Sequence, residues 1–171
     1  MKNSILAAFT ILTLASCQQQ KIGYMDNGKV VNEYQEKKDI EEKYKGKDEA
    51  FKKRADSIGK AFQLEVQKYN VERSKMSKSN IQAKEQELGQ KQQILQQQMQ
   101  FEQQQLQQAF QTEIDSVIGR VKTFVKDYGK TNGYNYIFGT SESAPSVLYG
   151  SEENDLSQLI LEALNAKYKK E

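Results

Sequence analysis

From Gln35 to Tyr128 the chain contains no proline, and this stretch limits the folds open to it more than any other feature. Proline is the strongest helix breaker, so a polar, charged, glutamine-rich run of this length without one is compatible with long helices. The apolar residues say which kind. Tyr44, Phe51 and Ile58 recur every seven residues, and Ala55, Phe62, Tyr69 and Met76 form a second seven-residue series four places on. Together they give the alternating three-four spacing of a coiled-coil seam. Further along, Ile81, Leu88 and Leu95 repeat every seven, with Met99 and Leu106 as partners. The steps Leu106 to Phe110 to Ile114 are four and four, a stutter that locally unwinds a supercoil, and regular spacing resumes through Val117, Val121, Phe124 and Tyr128.

Between the two series lies Ser74 to Asn80, which is small, polar and basic. Ser and Asn favour turns over helix, so the chain is expected to reverse there into an antiparallel hairpin; one unbroken helix is the alternative. Each arm then has about 45 residues and spans roughly 65–70 Å. The seam is thin, since Glu65 and Glu72 fall on apolar-phase positions, and the arms are expected to be flexible near the tip. The glutamine runs between Gln82 and Gln111 read as an uncharged helix surface, because the apolar heptads argue against a disordered, prion-like segment.

The flanks have a different pattern. Ile22, Tyr24 and Met25 read as a short strand, followed by turn and helix-cap chemistry at Asp26-Asn27-Gly28. Gly129 is placed to end the long helix at its C′ position. Tyr134 to Phe138 reads as a strand, Thr140 to Ser146 as a loop holding the only proline, Pro145, and Val147 to Tyr149 as another strand. Asp155 with Gln158 resembles a capping box before a helix whose apolar face is Leu156, Leu159, Ile160, Ala163 and Leu164. The expected fold class is therefore α+β, mainly α. A small β-rich body (a strand, a hairpin of two strands and a C-terminal helix) carries a long antiparallel α-helical hairpin inserted after the first strand. The expected divisions are 21–35 and 120–171 for the body and 36–119 for the hairpin, with Ile22, Tyr24, Tyr136, Phe138, Leu148, Ile160 and Leu164 in the body core. A body below about 70–80 residues rarely stands alone without a disulfide or metal, and short strands leave open edges. An oligomer is expected.

At the N-terminus, Lys2 precedes a short apolar run from Ile5 to Leu14 and then Leu14-Ala15-Ser16-Cys17. The run is shorter than the roughly 20 residues that span a bilayer and fits a secretory signal over 1–16. Leu-Ala-Ser-Cys resembles the lipobox of bacterial lipoproteins, which implies acylation of Cys17, the only cysteine, with 17–20 as an anchor linker; an ordinary signal with an incidental cysteine is the alternative. The formal charge of +2 falls to +1 once Lys2 leaves with the signal, far from the basic balance of a nucleic-acid binder.

The chain has no His and no Trp. With its sole thiol acylated, no His/Cys metal cluster and no Ser-His-Asp triad can be assembled. Gly23 to Val30 reads G-x-x-x-x-G-K-V, but Val30 lacks the hydroxyl that holds Mg²⁺ in a phosphate-binding loop. Gly129-Lys130-Thr131 has the end of that motif, with Phe124 where the first glycine belongs. Ser57-Ile58-Gly59-Lys60 matches an S-x-x-K without supporting motifs. No catalytic residue, metal or cofactor is expected.

The order of these features resembles the Skp (OmpH-type) periplasmic chaperones. The residues that carry the likeness are Lys21-Ile22-Gly23-Tyr24-Met25-Asp26 followed by Val30-Val31, the charged and glutamine-rich hairpin, and Tyr134-Asn135-Tyr136-Ile137-Phe138. The best agreement is at the end, in Val147-Leu148-Tyr149-Gly150, Asp155-Leu156 and Ala163-Leu164-Asn165-Ala166-Lys167-Tyr168. The resemblance spans essentially the whole chain after the signal. It implies a homotrimer with a small β body and three helical tentacles around a cavity, which holds unfolded outer-membrane β-barrel proteins without ATP. The lipobox and weakly basic arms depart from the best-known soluble members, which puts free diffusion and a strongly electrostatic capture in doubt. The implied location is the periplasm, anchored to the outer membrane through lipid. Lys68, Arg73, Lys75, Lys78 and Lys84 give the tip a modest positive bias and are the candidate client-facing residues, with plain solvated charge as the bland alternative. A structural coiled-coil lipoprotein that spaces or tethers the envelope is the runner-up. An efflux-pump hairpin adaptor is a third reading, for which the β portions look too small.

Overall fold

A computed structural model describes residues 20–169. The signal segment, Cys17 and most of the anchor linker lie outside the described residues. The elements run β1 (Ile22–Asp26), α1 (Asn27–Glu33), α2 (Gln35–Glu72), α3 (Lys78–Thr131), β2 (Tyr136–Thr140) and α4 (Ser157–Tyr168), with short 3-10 turns at Arg73–Lys75 and Glu152–Asn154. The chain divides into two compact units. One takes the residues up to Asn32 together with those from Val121 on, and the other runs from Glu33 to Arg120.

The second unit is the hairpin. α2 ends at Glu72, and Arg73–Lys75 make one tight turn. Met76 is extended, and the Ser77 hydroxyl accepts a bond from the Asn80 N–H as α3 begins. The reversal therefore falls between Glu72 and Lys78, starting one residue before the expected Ser74 and ending before Asn80, where small polar residues compete with the helix for backbone hydrogen bonds. Ion pairs tie the arms together in antiparallel order: Glu36 with Arg120, Lys43 with Glu113, Arg54 with Glu102 and Glu65 with Lys91. Exposed pairs are individually weak, yet they discriminate register. A slip of seven residues sets Glu36 against Glu113, or Lys43 against Arg120. The seam is buried at Ile40, Tyr44, Phe51, Tyr69, Leu88 and Val117 and only half-buried at Ile58, Phe62, Leu95 and Met99. There Ala55 and Gly59 face Leu95 and Met99 across an open cleft of about 580 Å³.

In the other unit β1 and β2 pair in parallel, from Ile22 with Tyr136 to Asp26 with Thr140. The Asp26 carboxylate caps α1 by accepting from the Lys29 N–H at 2.9 Å. On its other side β1 bridges to Asp155, and the Tyr24 carbonyl accepts from the Leu156 N–H at 2.8 Å. Val147–Tyr149, expected as a third strand, is not one. Asp155 takes the flank of β1, the segment does not pair with the open edge of β2 either, and Leu148 and Tyr149 project outward.

The core sits on the face of β1 opposite to the expected one. Gly23 and Met25 are buried, because Leu156, the residue before α4, closes over the glycine: a Cβ at Gly23 would lie 2.5 Å from Leu156 Cδ1. Leu156, Ile160, Leu161 and Leu164 are buried on the same side. Ile22, Tyr136, Phe138 and Leu148, expected in the core, are between 41 and 91 % exposed in the single chain. Tyr24 is half-buried, its ring against Gly150, with its hydroxyl 3.4 Å from the Gly150 carbonyl. Two termini also differ from expectation. α3 runs through Gly129 to Thr131, and the left-handed residue is Gly133 at φ 71°. Asp155 caps α4 through the Ser157 N–H at 2.8 Å, while Gln158 bonds Glu162 instead of closing a capping box.

Candidate functional site

Three sequence features that resemble catalytic motifs are structural. Gly23 lies under Leu156 inside a strand, so its backbone cannot cradle a phosphate. Gly129-Lys130-Thr131 forms the last turn of α3. Ser57 stands exposed on α2, and Lys60 pairs with Asp56 at 2.7 Å. What remains is surface, on the hairpin and on the sheet.

The hairpin end is basic. Between Val66 and Lys84 the chain carries Lys68, Arg73, Lys75, Lys78 and Lys84 against a single acid, Glu72. Arg73 reaches Glu85 at 3.0 Å. Lys84 is shared between Glu87 at 2.7 Å and Glu65 at 3.3 Å, and its pKa is raised, first by the bond to Glu87. Lys68, Lys75 and Lys78 are exposed and form no ion pair among the described residues. The five candidate positions thus split into three open cations around the turn and two that are neutralised across the arms. The candidate tip set omits the large apolar side chains of the arms that stand in solvent: Leu64, Val71, Ile94 and Phe101, 60 to 76 % exposed. Their signal in the sequence is a seven-residue spacing within each arm, one place before a seam position.

Two carboxylates clamp the arms. Glu113 accepts from Lys43 Nζ at 2.8 Å and from Tyr44 Oη at 2.8 Å, and these bonds hold it below the ordinary carboxylate range. Glu65 is lowered by its bonds to Lys91 and then Lys84. Tyr44 is raised, first by its bond to Glu113. A depressed carboxylate contributes stability that is complete above its ordinary value of 4.5 and is lost as pH falls through the lowered folded value. The raised Tyr44 contributes below 10.0 and loses that contribution as pH rises through its folded value. The hairpin is therefore expected to melt at lower temperature at pH 3 than at pH 6. Glu113→Gln should lower the melting point at pH 6 and shrink the pH dependence. Circular dichroism melts check this; an unchanged pH dependence in the variant would contradict it.

On the sheet, the exposed face carries Ile22, Tyr136 and Phe138, with the two rings stacked at a centroid distance of 5.9 Å. The outer edge of β2 pairs with nothing among the described residues.

Residues 21–164 match the profile of a family described as outer membrane protein (OmpH-like). Among solved structures, a candidate outer membrane chaperone (OmpH-like) from Caulobacter crescentus CB15 shares the fold with a TM-score of 0.76 at 13% identity, over 86% of this chain and 85% of that one. No curated protein sequence matches the chain.

Proposed function

The chain belongs to the OmpH-like outer membrane protein family, and from that premise we propose that it is an ATP-independent periplasmic holdase that binds unfolded outer-membrane proteins and prevents their aggregation. The observation that carries this reading is the hairpin. Its arms, the 38 residues of α2 and α3 as far as Arg120, are far longer than a small body needs for stability, and they present large apolar side chains and open lysines to solvent. An unfolded barrel exposes apolar strands with unpaired edges, which aggregate. A holder of such chains needs many weak apolar contacts, not one deep pocket. A spacer or tether has no use for Phe101 or Val71 in water, so the exposed side chains favour client binding over the purely structural alternative.

Two further parts belong to the same proposal. The exposed sheet face is a self-association surface, and by family resemblance three copies share it. Cys17 is the acylated residue that ties the protein to the outer membrane; an unmodified Cys17 in intact-mass spectra of the native protein would contradict that. The holdase itself is tested with the chain lacking signal and anchor. A urea-unfolded outer-membrane barrel diluted into it is expected to elute with it from a sizing column without nucleotide. A client that elutes only as aggregate, or that needs ATP to co-elute, would contradict the proposal.

A further inference from the structure

The sequence holds two Asn-Gly pairs, Asn27-Gly28 and Asn132-Gly133. A glycine after asparagine leaves the asparagine Cγ open to attack by the following main-chain nitrogen, because no side chain stands in the way. The structure treats the two pairs differently. Asn27 opens α1 with Gly28 in the same helix, where fixed helical dihedrals keep that nitrogen from its Cγ. The Asn27 carboxamide also lies on β2, since a Cβ at Gly139 would sit 2.9 Å from Asn27 Cγ. Asn132 and Gly133 stand in the exposed turn after α3. Gly133 is left-handed at φ 71°, and nothing lies within 4 Å of where its Cβ would be. Its N–H makes only a long bond of 3.4 Å to the Lys130 carbonyl. The Asn132 carboxamide is held by one exposed bond, from Nδ2 to the Tyr128 carbonyl at 2.8 Å, and such a bond has modest net strength.

A cation also holds this turn. The Lys21 N–H donates to Asn135 Oδ1 at 2.9 Å, and the Lys21 carbonyl accepts from the Asn135 N–H at 2.8 Å. So placed, the Lys21 ammonium lies 4.1 Å from the centre of the Tyr134 ring and donates to the Asn132 carbonyl at 3.0 Å. That carbonyl belongs to the peptide whose nitrogen is Gly133 N. When this nitrogen loses its proton, the charge is shared with the carbonyl oxygen by amide resonance, and a nearby cation favours the charged form. We infer that Asn132 is a self-modification site, deamidated through a cyclic imide whose formation Lys21 promotes. Gly133 N gives up its proton and bonds to Asn132 Cγ. The Cγ–Nδ2 bond breaks, and the side-chain nitrogen leaves as ammonia, carrying that proton. Water then opens the imide at either carbonyl, giving aspartate or isoaspartate, and no oxidant or reductant is needed. Both products put a carboxylate where Nδ2 donated to Tyr128, and isoaspartate lengthens the main chain by a methylene. The modification thus changes charge and chain length at the join of α3 to β2.

The test incubates the anchor-free chain at neutral pH, folded and in urea, and follows both Asn-Gly peptides by mass spectrometry. In urea both pairs convert and give the intrinsic rates. In the folded chain Asn132 should convert to aspartate and isoaspartate while Asn27 stays intact. Lys21→Met should slow the conversion of Asn132 about tenfold in the folded chain, a barrier change of about 1.4 kcal/mol, and leave the rate in urea unchanged. Lys21→Arg keeps the cation and should convert as the parent does. Lys21 is exposed, and circular dichroism together with an intact Asn27 reports that each variant is folded. An Asn132 that stays intact in the folded parent overturns the inference, as does an Asn27 that keeps as large a share of its urea rate as Asn132; neither result depends on a variant. Conversion at the parent's rate in folded Lys21→Met overturns it too, and so does a Lys21→Arg chain as slow as Lys21→Met.

Discussion

Leu164→Ala is expected to destabilise the body by roughly 2–5 kcal/mol, the range for deleting a buried leucine side chain. Leu164 is 2 % exposed on α4, the helix preceded by Leu156, which covers Gly23 of β1. The single chain has little to set against such a loss. Its core outside the hairpin rests on α4, Met25, Val30 and Val121, whereas whole domains are stable by only about 5–15 kcal/mol. Ile160→Ala should behave alike, and the two together should unfold the body. Lys167→Ala, exposed three residues on, should fall within about 0.5 kcal/mol of the parent. Urea unfolding followed by circular dichroism gives the numbers. A Leu164→Ala chain as stable as the Lys167→Ala chain would contradict the packing described for α4.

The second large effect concerns assembly. Without its anchor the chain is expected to sediment as an oligomer, and Tyr136→Asp with Phe138→Asp should reduce it to monomers that keep their helical spectrum. Two stacked aromatic rings and Ile22 share the exposed sheet face beside an unpaired strand edge, and an exposed apolar patch of this kind marks an interaction surface. A second copy could cover the face and continue the sheet at once. Each aromatic ring buries roughly 150–250 Å² when covered, and an aspartate placed there would have to be desolvated without a partner. Analytical ultracentrifugation over a wide concentration range decides. A parent that is monomeric throughout, or a double variant that still associates, would contradict the assignment of this face.

Much of the architecture is legible in the residues because it rests on local pattern. The heptads from Tyr44 to Tyr69 and from Leu88 to Leu106 fix a seam, and the Ser-Lys-Met-Ser-Lys-Ser-Asn break marks the reversal. The body is less legible. Ile-Gly-Tyr-Met-Asp carries apolar residues in both phases, so alternation alone cannot say which face is core, and a change of phase moves every side chain across the sheet. The answer depends on Leu156 lying over Gly23, a contact more than a hundred residues away in sequence. Val147-Leu148-Tyr149 has strand composition, but Asp155 occupies the flank of β1 and the segment does not pair with the open edge of β2, so its composition alone misleads. Gly129 has the composition of a helix end, yet Gly133 supplies the left-handed turn four residues on. For the surface, the basic tip could be read directly from charge. The exposed apolar row is harder to see, because it shows only once the seam has assigned a phase to every residue of both arms.

The central claim is that this hairpin protects unfolded outer-membrane barrels without ATP. Light scattering of an unfolded barrel diluted from urea, with and without a several-fold molar excess of the anchor-free chain, tests it most directly. Scattering suppressed to near baseline with no nucleotide present, and unchanged on adding ATP, is the predicted result. Scattering that rises as fast with the chain as without it, or that falls only when ATP is supplied, would contradict the claim.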